Sequence, residues 1–188
     1  MKDLLLRIQQ CRICEDFIEP RPVVFSQKKS KIIIIGQAPG LKVHKSGIPW
    51  DDASGKQLRS WLGVTDEQFY NTKNFGIIPM GFCYPGKGKS GDLAPRKECA
   101  PQWHHLLLEK MLNVELVILI GMYAQKYYLK NTAKRTLTDT VSSFEENLPK
   151  YMVLPHPSPR NRFWLTKNPW FSQSVLPILK DKVAEIVE

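Results

Sequence analysis

The sequence has no run of about 18 uncharged apolar residues, the length that a membrane-spanning helix requires. Its first ten residues include Lys2, Asp3 and Arg7, where a secretory signal peptide would have an apolar stretch. Internal repeats, low-complexity tracts and long linkers are also missing. With 43% hydrophobic residues in 188, we expect a single globular domain over residues 1–188. We expect a cytoplasmic monomer with no membrane partner.

Acidic residues are scarce relative to basic ones. The chain has 18 Asp and Glu against 27 Lys and Arg, which gives a formal net charge of +9. This excess suits a polyanionic partner such as nucleic acid, although an acidic membrane surface or solubility alone would also account for it.

Cysteine is rare, and the spacing of the four residues is informative. Cys11 and Cys14 form a C-x-x-C pair, and Cys83 and Cys99 form a wider second pair. A cytoplasmic compartment keeps thiols reduced, so two structural disulfides are not expected. A redox dithiol needs only one pair, at a strand-to-helix turn, and Cys11 does not follow a predicted strand. The remaining interpretations are a zinc or iron–sulfur site and four buried thiols without a metal.

Apolar runs alternate with helical patterns along the chain. Four runs predict buried strands, at residues 31–35, 75–80, 116–120 and 150–154. Helical patterns lie at residues 54–62, at 65–70 with a Thr65 and Gln68 capping box, at 95–112 with a kink at Pro101, at 122–130 and at 169–187. The alternation predicts an α/β protein, a three-layer α/β/α sandwich around a central four-stranded parallel sheet.

The segments that follow the predicted strands carry the unusual residues. Because ligands of open parallel sheets bind outside the carboxyl ends of the strands, these segments are expected to converge on one crevice. They are residues 36–40, 81–89, 121–122 and 155–161. The crevice is the candidate active site.

The fourth of these segments presents polar groups rigidly. Three prolines bracket His156 and Ser158, an arrangement that suits a preorganised imidazole and hydroxyl. Ser158, Arg160 and Arg162 are candidates for holding phosphates. A proline-rich turn with a satisfied histidine is the alternative.

The glycine- and lysine-rich stretch at residues 86–91 has two interpretations of its own. Lys87 and Lys89 would either contact phosphates or form an ordinary solvated turn.

Taken together, these motifs resemble those of the uracil-DNA glycosylase superfamily, over the chain from Cys11 to about Trp170. The first strand is followed by a match to the first family motif, Gly36, Gln37, Ala38, Pro39 and Gly40. The fourth strand is followed by a match to the second motif in the form used by single-strand-selective monofunctional enzymes, His156, Pro157, Ser158, Pro159, Arg160 and Asn161. The segment that ends at Trp50 is similar to the family segment whose aromatic residue stacks on the extruded base.

The resemblance implies a DNA repair enzyme, a hydrolase that cleaves the N-glycosidic bond of uracil or a related damaged base in DNA. His156 would hydrogen-bond the departing base anion, Trp50 would stack on the base, and Gln37 would help to position water. The base pocket would include Gly36, Ala38, Pro39, Gly40, Met80, Gly81 and Phe82. Arg160, Asn161 or Arg162 would fill the gap left in the duplex or grip its phosphates, and Lys87, Lys89 and Ser158 would also bind DNA. Phe163 and Trp164 would press on DNA or pack internally.

The cysteine pattern resembles the cluster ligands of the family 4 enzymes. By that resemblance, Cys11, Cys14, Cys83 and Cys99 would hold a 4Fe-4S cluster. Zinc is the alternative, because tetrahedral thiolate ligation accepts either metal.

Three positions depart from the family pattern. Gln37 stands where family 4 has glutamate, Ala38 where family 1 has its water-activating aspartate, and Pro79 where family 4 has the asparagine that reads the base edge. Asp51 and Asp52 are the candidates for a substitute carboxylate, the alternative being helix-start charges.

Two other classes of function remain open. One is a noncatalytic module that binds uracil-containing or damaged DNA without releasing a base. The other is a redox or metal-sensing protein in which the four cysteines are the functional centre.

Overall fold

The computed structural model describes residues 1–187, which form an α/β sandwich around a four-stranded sheet. The strands are β1 (Ile32–Ile35), β2 (Phe75–Ile77), β3 (Leu116–Ile120) and β4 (Tyr151–Leu154). They lie in the order β2-β1-β3-β4, and every neighbouring pair is parallel. The predicted fold class and all four strands are confirmed.

Continuous apolar strands form the centre of the sheet. Ile32, Ile33, Ile34 and Ile35 are all fully buried, and every residue of β3 is buried as well. Such runs without polar alternation are typical of parallel strands covered on both faces by helices. The second strand ends at Ile77, earlier than predicted, although the amides of Ile78 and Met80 still donate to the carbonyls of Ile34 and Gly36.

Helices cover both faces of this sheet. They are α1 (Lys2–Gln9), α2 (Leu41–Ser46), α3 (Ala53–Leu62), α4 (Asp66–Tyr70), α5 (His105–Leu108), α6 (Gly121–Leu129), α7 (Leu137–Ser142), α8 (Arg162–Lys167) and α9 (Leu176–Ile186). Right-handed crossovers place α2, α3 and α4 on one face and α5, α6 and α7 on the other. The final helix α9 returns to the first face and packs on α3. The predicted capping box of Thr65 and Gln68 is present at the start of α4.

The helix predicted at residues 95–112 is wrong in its bounds. The chain there forms a π-helical turn, Ala100–His104, followed by the short α5. Pro101 has no N–H to donate to the preceding turn, so a regular α-helix cannot extend through this segment. The helix predicted at residues 169–187 likewise begins as a π-helical turn, Phe171–Val175. Four helices, α1, α2, α7 and α8, were not predicted.

The strand order determines where a ligand can bind. Strands β1 and β3 are neighbours, but the chain leaves β1 towards β2 on one side and β3 towards β4 on the other. At such a switch point the loops after the two strands diverge and leave a crevice at the carboxyl edge. Among residues 1–187, no helix is long and apolar enough to cross a membrane.

Stability should depend strongly on the central strand. Ile34 of β1 is fully buried, so replacing it with alanine leaves a cavity, and we expect Ile34→Ala to lower the free energy of unfolding by about 2–5 kcal/mol. Urea unfolding followed by circular dichroism measures the change. As a control, Leu112→Ala removes a side chain that is 87% exposed and should change stability by less than about 0.5 kcal/mol. Equal effects of the two variants would contradict the assigned core.

Candidate active site

A cavity of about 450 Å³ opens at the carboxyl edge of the sheet. Its walls come from the loop after β1, the segment between α2 and α3, the segments after β2, and the loop after β4. The lining residues are Val23, Gly36, Gln37, Ala38, Pro39, Gly40, Val43, Pro49, Trp50, Asp52, Ser54, Ile77, Pro79, Gly91, Asp92, His156, Ser158 and Arg160. The structure therefore brings both sequence motifs and Trp50 together around one cavity.

Two rings, Trp50 and His156, lie beside each other in this cavity. Their centroids are 5.7 Å apart and their planes differ by 34°. The Trp50 ring also approaches the first motif closely, since a Cβ built on Gly36 would lie 3.1 Å from it. A side chain at position 36 would therefore press against this aromatic wall.

The backbone at Trp50 is strained. Its φ of 58° lies in the left-handed region, which a bulky non-glycine residue rarely adopts. Gly55 makes the turn possible, because a Cβ built there would lie 1.7 Å from the carbonyl oxygen of Trp50. Arg59 Nη1 donates to that same carbonyl oxygen over 3.3 Å, and Tyr70 Oη donates to the carbonyl of Pro49 over 3.0 Å.

The guanidinium of Arg59 is itself fixed. Its Nε lies 2.6 Å from Asp66 Oδ1, and its Cζ lies 5.3 Å from the ring centroid of Phe69. The Arg59 side chain is only 12% exposed. Side chains of α3 and α4 thus hold the Trp50 turn in place.

His156 is half-buried at the start of the loop after β4. Burial lowers the pKa of its imidazole, although the carboxylates of Asp52 and Asp92 act in the opposite direction. The ring is therefore predominantly neutral at neutral pH and can donate one N–H hydrogen bond. Asn161 Nδ2 donates to the His156 carbonyl over 2.7 Å, so this predicted DNA contact also fixes the histidine loop.

The two aspartates predicted as candidate carboxylates lie in different places. Asp52 lines the cavity and is the N-cap of α3, its Oδ1 accepting from the amide of Gly55 over 2.8 Å. Asp51 is not among the cavity-lining residues and lies 3.8 Å from Lys42 Nζ. The structure therefore brings only Asp52 of this pair to the site.

Asp92 is a cavity residue that the sequence motifs did not indicate. It sits on a tight hairpin in which Lys87 and Asp92 form an antiparallel bridge and Gly88 donates to the carbonyl of Gly91 over 2.6 Å. Gln37 Nε2 donates to the carbonyl of Leu93 over 2.9 Å and so ties the hairpin to the first motif. The glycines of this stretch predict a turn, but no sequence motif predicts that the Asp92 side chain lies at the cavity.

Part of the predicted base pocket lies behind the cavity. Met80, Gly81 and Phe82 are buried and do not line it. The Met80 and Gly81 amides donate to the carbonyls of Gly36 and Gln37, over 2.8 and 2.9 Å, so they are engaged within the protein. Ile77 and Pro79 line the cavity in their place.

A buried polar pair supports Pro79 from behind. His104 Nε2 lies 3.0 Å from the Pro79 carbonyl oxygen, and His104 Nδ1 lies 2.6 Å from Tyr128 Oη. Burial lowers the pKa of His104 to about 4, so the ring is neutral. A carbonyl can only accept, so Nε2 carries the proton and Tyr128 donates to Nδ1.

Two of the predicted DNA-binding residues lie at the cavity. Ser158 and Arg160 line it, while Lys87, Lys89 and Arg162 are exposed. A Cβ built on Gly91 would lie 3.6 Å from Arg160 Nη1, so Arg160 sits beside the hairpin.

The two aromatic residues of the segment after Arg162 have separate environments. Phe163 is 68% exposed beneath the Arg162 guanidinium. Trp164 instead packs against Trp170 and Phe171 and donates from Nε1 to Thr138 Oγ1 over 2.8 Å.

A smaller cavity of about 290 Å³ adjoins the first and shares Gln37 and His156 with it. Its other lining residues come from the start of α6, from α7 and from the loop after β4: Ile120, Gly121, Met122, Tyr123, Leu137 and Asn161. The predicted convergence of the loop after β3 on this edge is confirmed.

The four cysteines are gathered from distant parts of the chain. They are free thiols, three of them buried, and the Cys83 and Cys99 thiols each interact electrostatically with Cys11 and Cys14. Burial raises the pKa of Cys83 to about 11 and that of Cys99 to about 12, so without a bound cation both remain protonated. Within residues 1–187, no group of three or more His, Cys, Asp or Glu side chains is arranged to hold a metal ion.

A known family matches most of the chain. The family model described as the uracil DNA glycosylase superfamily matches residues 23–180. The matched range contains both sequence motifs, Trp50, Asp92 and all four strands, and it excludes Cys11 and Cys14.

The Trp50 turn should not tolerate a side chain at position 55. Alanine usually stabilises a helix interior relative to glycine by about 0.5–1 kcal/mol. Here we expect Gly55→Ala to destabilise the protein by about 1–3 kcal/mol, because the new Cβ would overlap the Trp50 carbonyl. Thermal unfolding measures the sign, and Ser60→Ala, at an exposed position of the same helix, is the control. A stabilised Gly55→Ala variant would contradict the assigned turn.

Proposed function

The chain belongs to the uracil DNA glycosylase superfamily, and we propose that it is a monofunctional glycosylase that hydrolyses the bond between uracil, or a related damaged base, and deoxyribose in DNA. Family membership supports a DNA glycosylase function in general. The observation that carries the finer proposal is the pairing of Trp50 with a neutral His156 in one cavity at the carboxyl edge of the sheet.

The cavity suits a nucleotide that has been taken out of the DNA stack. A glycosylase must extrude its target base and hold it in a tight pocket, where aromatic side chains stack on it. Trp50 offers such a ring, and the strained turn held by Gly55 and Arg59 preorganises it before DNA binds. The backbone of residues 36–40 and Pro79 form other parts of the cavity wall.

His156 would stabilise the departing base. When the bond between sugar and base breaks, the electron pair goes to the base, which leaves as an anion, and the sugar becomes oxocarbenium-like. A neutral imidazole can donate a hydrogen bond to the anion's oxygen from its one protonated ring nitrogen. Preorganised donors of this kind are often the largest single contribution to catalysis.

Basic residues at the cavity mouth would hold the DNA backbone. Arg160 lines the cavity, and Arg162, Lys87 and Lys89 are exposed, in a protein whose net charge is +9. Their contacts to phosphates would position the strand without reading its sequence. The exposed ring of Phe163 would contact bases beside the extruded nucleotide.

A noncatalytic damage-binding module is the second candidate. The observation that favours it is Pro79, which offers no side-chain hydrogen bond to a base edge and whose carbonyl is engaged by His104. Such a module would use the same cavity and bind uracil-containing DNA without producing abasic sites.

We further propose that Cys11, Cys14, Cys83 and Cys99 hold a 4Fe-4S cluster. Four thiols from two distant segments lie close enough to interact, none is in a disulfide, and the site is largely buried. A single zinc ion would need all four sulfurs about 2.3 Å from one centre. A four-iron cluster binds each thiolate through a different iron and so fits a wider spacing. The cluster would tie residues 11–14 to the segment that contains the Asp92 hairpin.

His156→Ala should abolish most base release. In single-turnover cleavage of single- and double-stranded oligonucleotides that contain uracil, with alkali revealing abasic sites, we expect the rate to fall about 10²–10³-fold, because one preorganised donor is lost. His105→Ala, at an exposed histidine outside the cavity, is the control and should cleave at the wild-type rate. If the folded wild-type protein binds the oligonucleotide but releases no base, the noncatalytic module replaces the glycosylase.

The cluster makes a compositional prediction. Protein purified without oxygen should be brown and contain iron and acid-labile sulfide in near-equal amounts, and Cys83→Ser should lose both because a ligand is missing. Metal analysis and the visible absorption spectrum measure this. Colourless protein loaded with zinc would reject the cluster in favour of a zinc site.

A further inference from the structure

We propose that Asp92 is the carboxylate that activates the attacking water. This inference rests on the proposed glycosylase function, because water attack on the sugar requires a group that accepts the proton of the water. The first motif does not supply one, since Gln37 and Ala38 occupy the positions where related families have carboxylates.

The position of Asp92 meets this need. It lines the same cavity as Trp50 and His156, although it lies far from both motifs in sequence. A Cβ built on Gly40 would lie 3.6 Å from Asp92 Oδ2, which places the carboxylate against the first motif. Asp92 is exposed in the free protein, so water reaches it readily.

Several contacts hold the carboxylate in place. The Lys87 bridge and the Gly88 hydrogen bond close the hairpin, and Gln37 anchors it through the Leu93 carbonyl. The Tyr84 hydroxyl lies near the Asp92 carboxylate, and burial together with the Asp92 charge raises the pKa of that tyrosine. Tyr84 therefore stays protonated beside the carboxylate.

Asp92 offers a negative carboxylate and His156 a neutral hydrogen-bond donor in the same cavity. The Asp92 carboxylate is close enough to His156 to favour the protonated imidazole, so the two groups share one electrostatic environment. A sugar bound between them would have a negative carboxylate near its developing positive charge and a neutral donor near the departing base.

The other two candidate carboxylates are less suitable. Asp52 also lines the cavity, but its Oδ1 caps α3 through the amide of Gly55. Asp51 is not a cavity residue and is paired with Lys42. Asp92 is thus the aspartate that lines the cavity and is positioned by the hairpin backbone, with its carboxylate not used to cap a helix.

The step balances as a hydrolysis. The water oxygen forms a bond to C1′ while the bond from C1′ to the base nitrogen breaks and its electron pair leaves with the base. The water proton passes to the Asp92 carboxylate and then to solvent. The base anion, hydrogen-bonded by His156, takes up a proton from solvent. No oxidant, reductant or further reactant is needed.

Single-turnover cleavage of an oligonucleotide from which the wild-type protein releases a base tests the assignment. We expect Asp92→Asn to lower the rate about 10²–10⁴-fold, because the general base is lost. The dissociation constant for the oligonucleotide should change by no more than a few-fold. Asp181→Asn, an exposed aspartate on α9, removes the same charge and should cleave at the wild-type rate.

Two further variants separate water activation from a structural effect. Asp52→Asn keeps a side chain that can cap α3 and should lose less activity than Asp92→Asn. Asp92→Ala should regain part of its rate when formate is added, because a small carboxylate can enter the open position and accept the proton.

The assignment is overturned if Asp92→Asn cleaves within about threefold of wild type, if Asp52→Asn loses more, or if formate restores nothing to Asp92→Ala. If wild type releases no base from oligonucleotides carrying uracil or other damaged bases, the proposed function fails, and the role of Asp92 fails with it. The wild-type reaction distinguishes the two failures: base release by wild type with no effect of Asp92→Asn rejects only the assignment of Asp92.

Discussion

The strained turn at Trp50 is the constraint on which the rest of the site depends. A tryptophan with positive φ persists only if its surroundings over-determine it, and here four neighbours do so. Gly55 leaves space for the Trp50 carbonyl, Arg59 donates to it, Tyr70 holds the preceding carbonyl, and Asp52 caps the helix that follows. The helix α3 packs on α9, and its Trp61 packs on Phe171 in the π-helical turn before α9, with ring centroids 4.9 Å apart, so the turn is anchored to a full helical layer. The aromatic wall is therefore present before any ligand arrives.

The Asp92 hairpin, another part of the cavity wall, is held in place by different interactions. The Asp92 hairpin has few buried apolar contacts and is held by hydrogen bonds, chiefly those from Gln37 and within its own turn. It lies in the segment between Cys83 and Cys99, which packs against the amino-terminal cysteines. A metal cluster at those thiols would fix both ends of the segment, as the helical layer fixes Trp50. Packing thus fixes the Trp50 side of the cavity, whereas polar contacts fix the Asp92 hairpin. The position of the hairpin therefore depends more strongly on the few groups that hold it.

The strands and the two motifs could be predicted from sequence because they depend on local signals. Continuous isoleucine in β1 and proline-bracketed residues around His156 are visible without any tertiary information. Asp92 could not be predicted, because its approach to Gly40 results from how the hairpin folds back on the first motif. The sequence likewise predicts Met80, Gly81 and Phe82 in the base pocket, whereas all three are buried behind it and the amides of Met80 and Gly81 donate to the carbonyls of Gly36 and Gln37. The short α2, α7 and α8 lack the long apolar periodicity on which sequence-based prediction depends.

Basic residues dominate the protein as a whole, whereas the cavity contains two aspartates. Over the whole protein basic residues dominate, with a net charge of +9, and this attracts the phosphate backbone. Inside the cavity the charged side chains include two aspartates, Asp52 and Asp92, which lie near enough to His156 to influence its pKa. At physiological ionic strength, interactions between exposed charges are screened beyond about 8 Å, so the exposed lysines Lys87 and Lys89 would act mainly on the phosphates nearest to them. A sugar that becomes positive as its base departs would therefore be stabilised inside the cavity, while its phosphates remain bound at the rim.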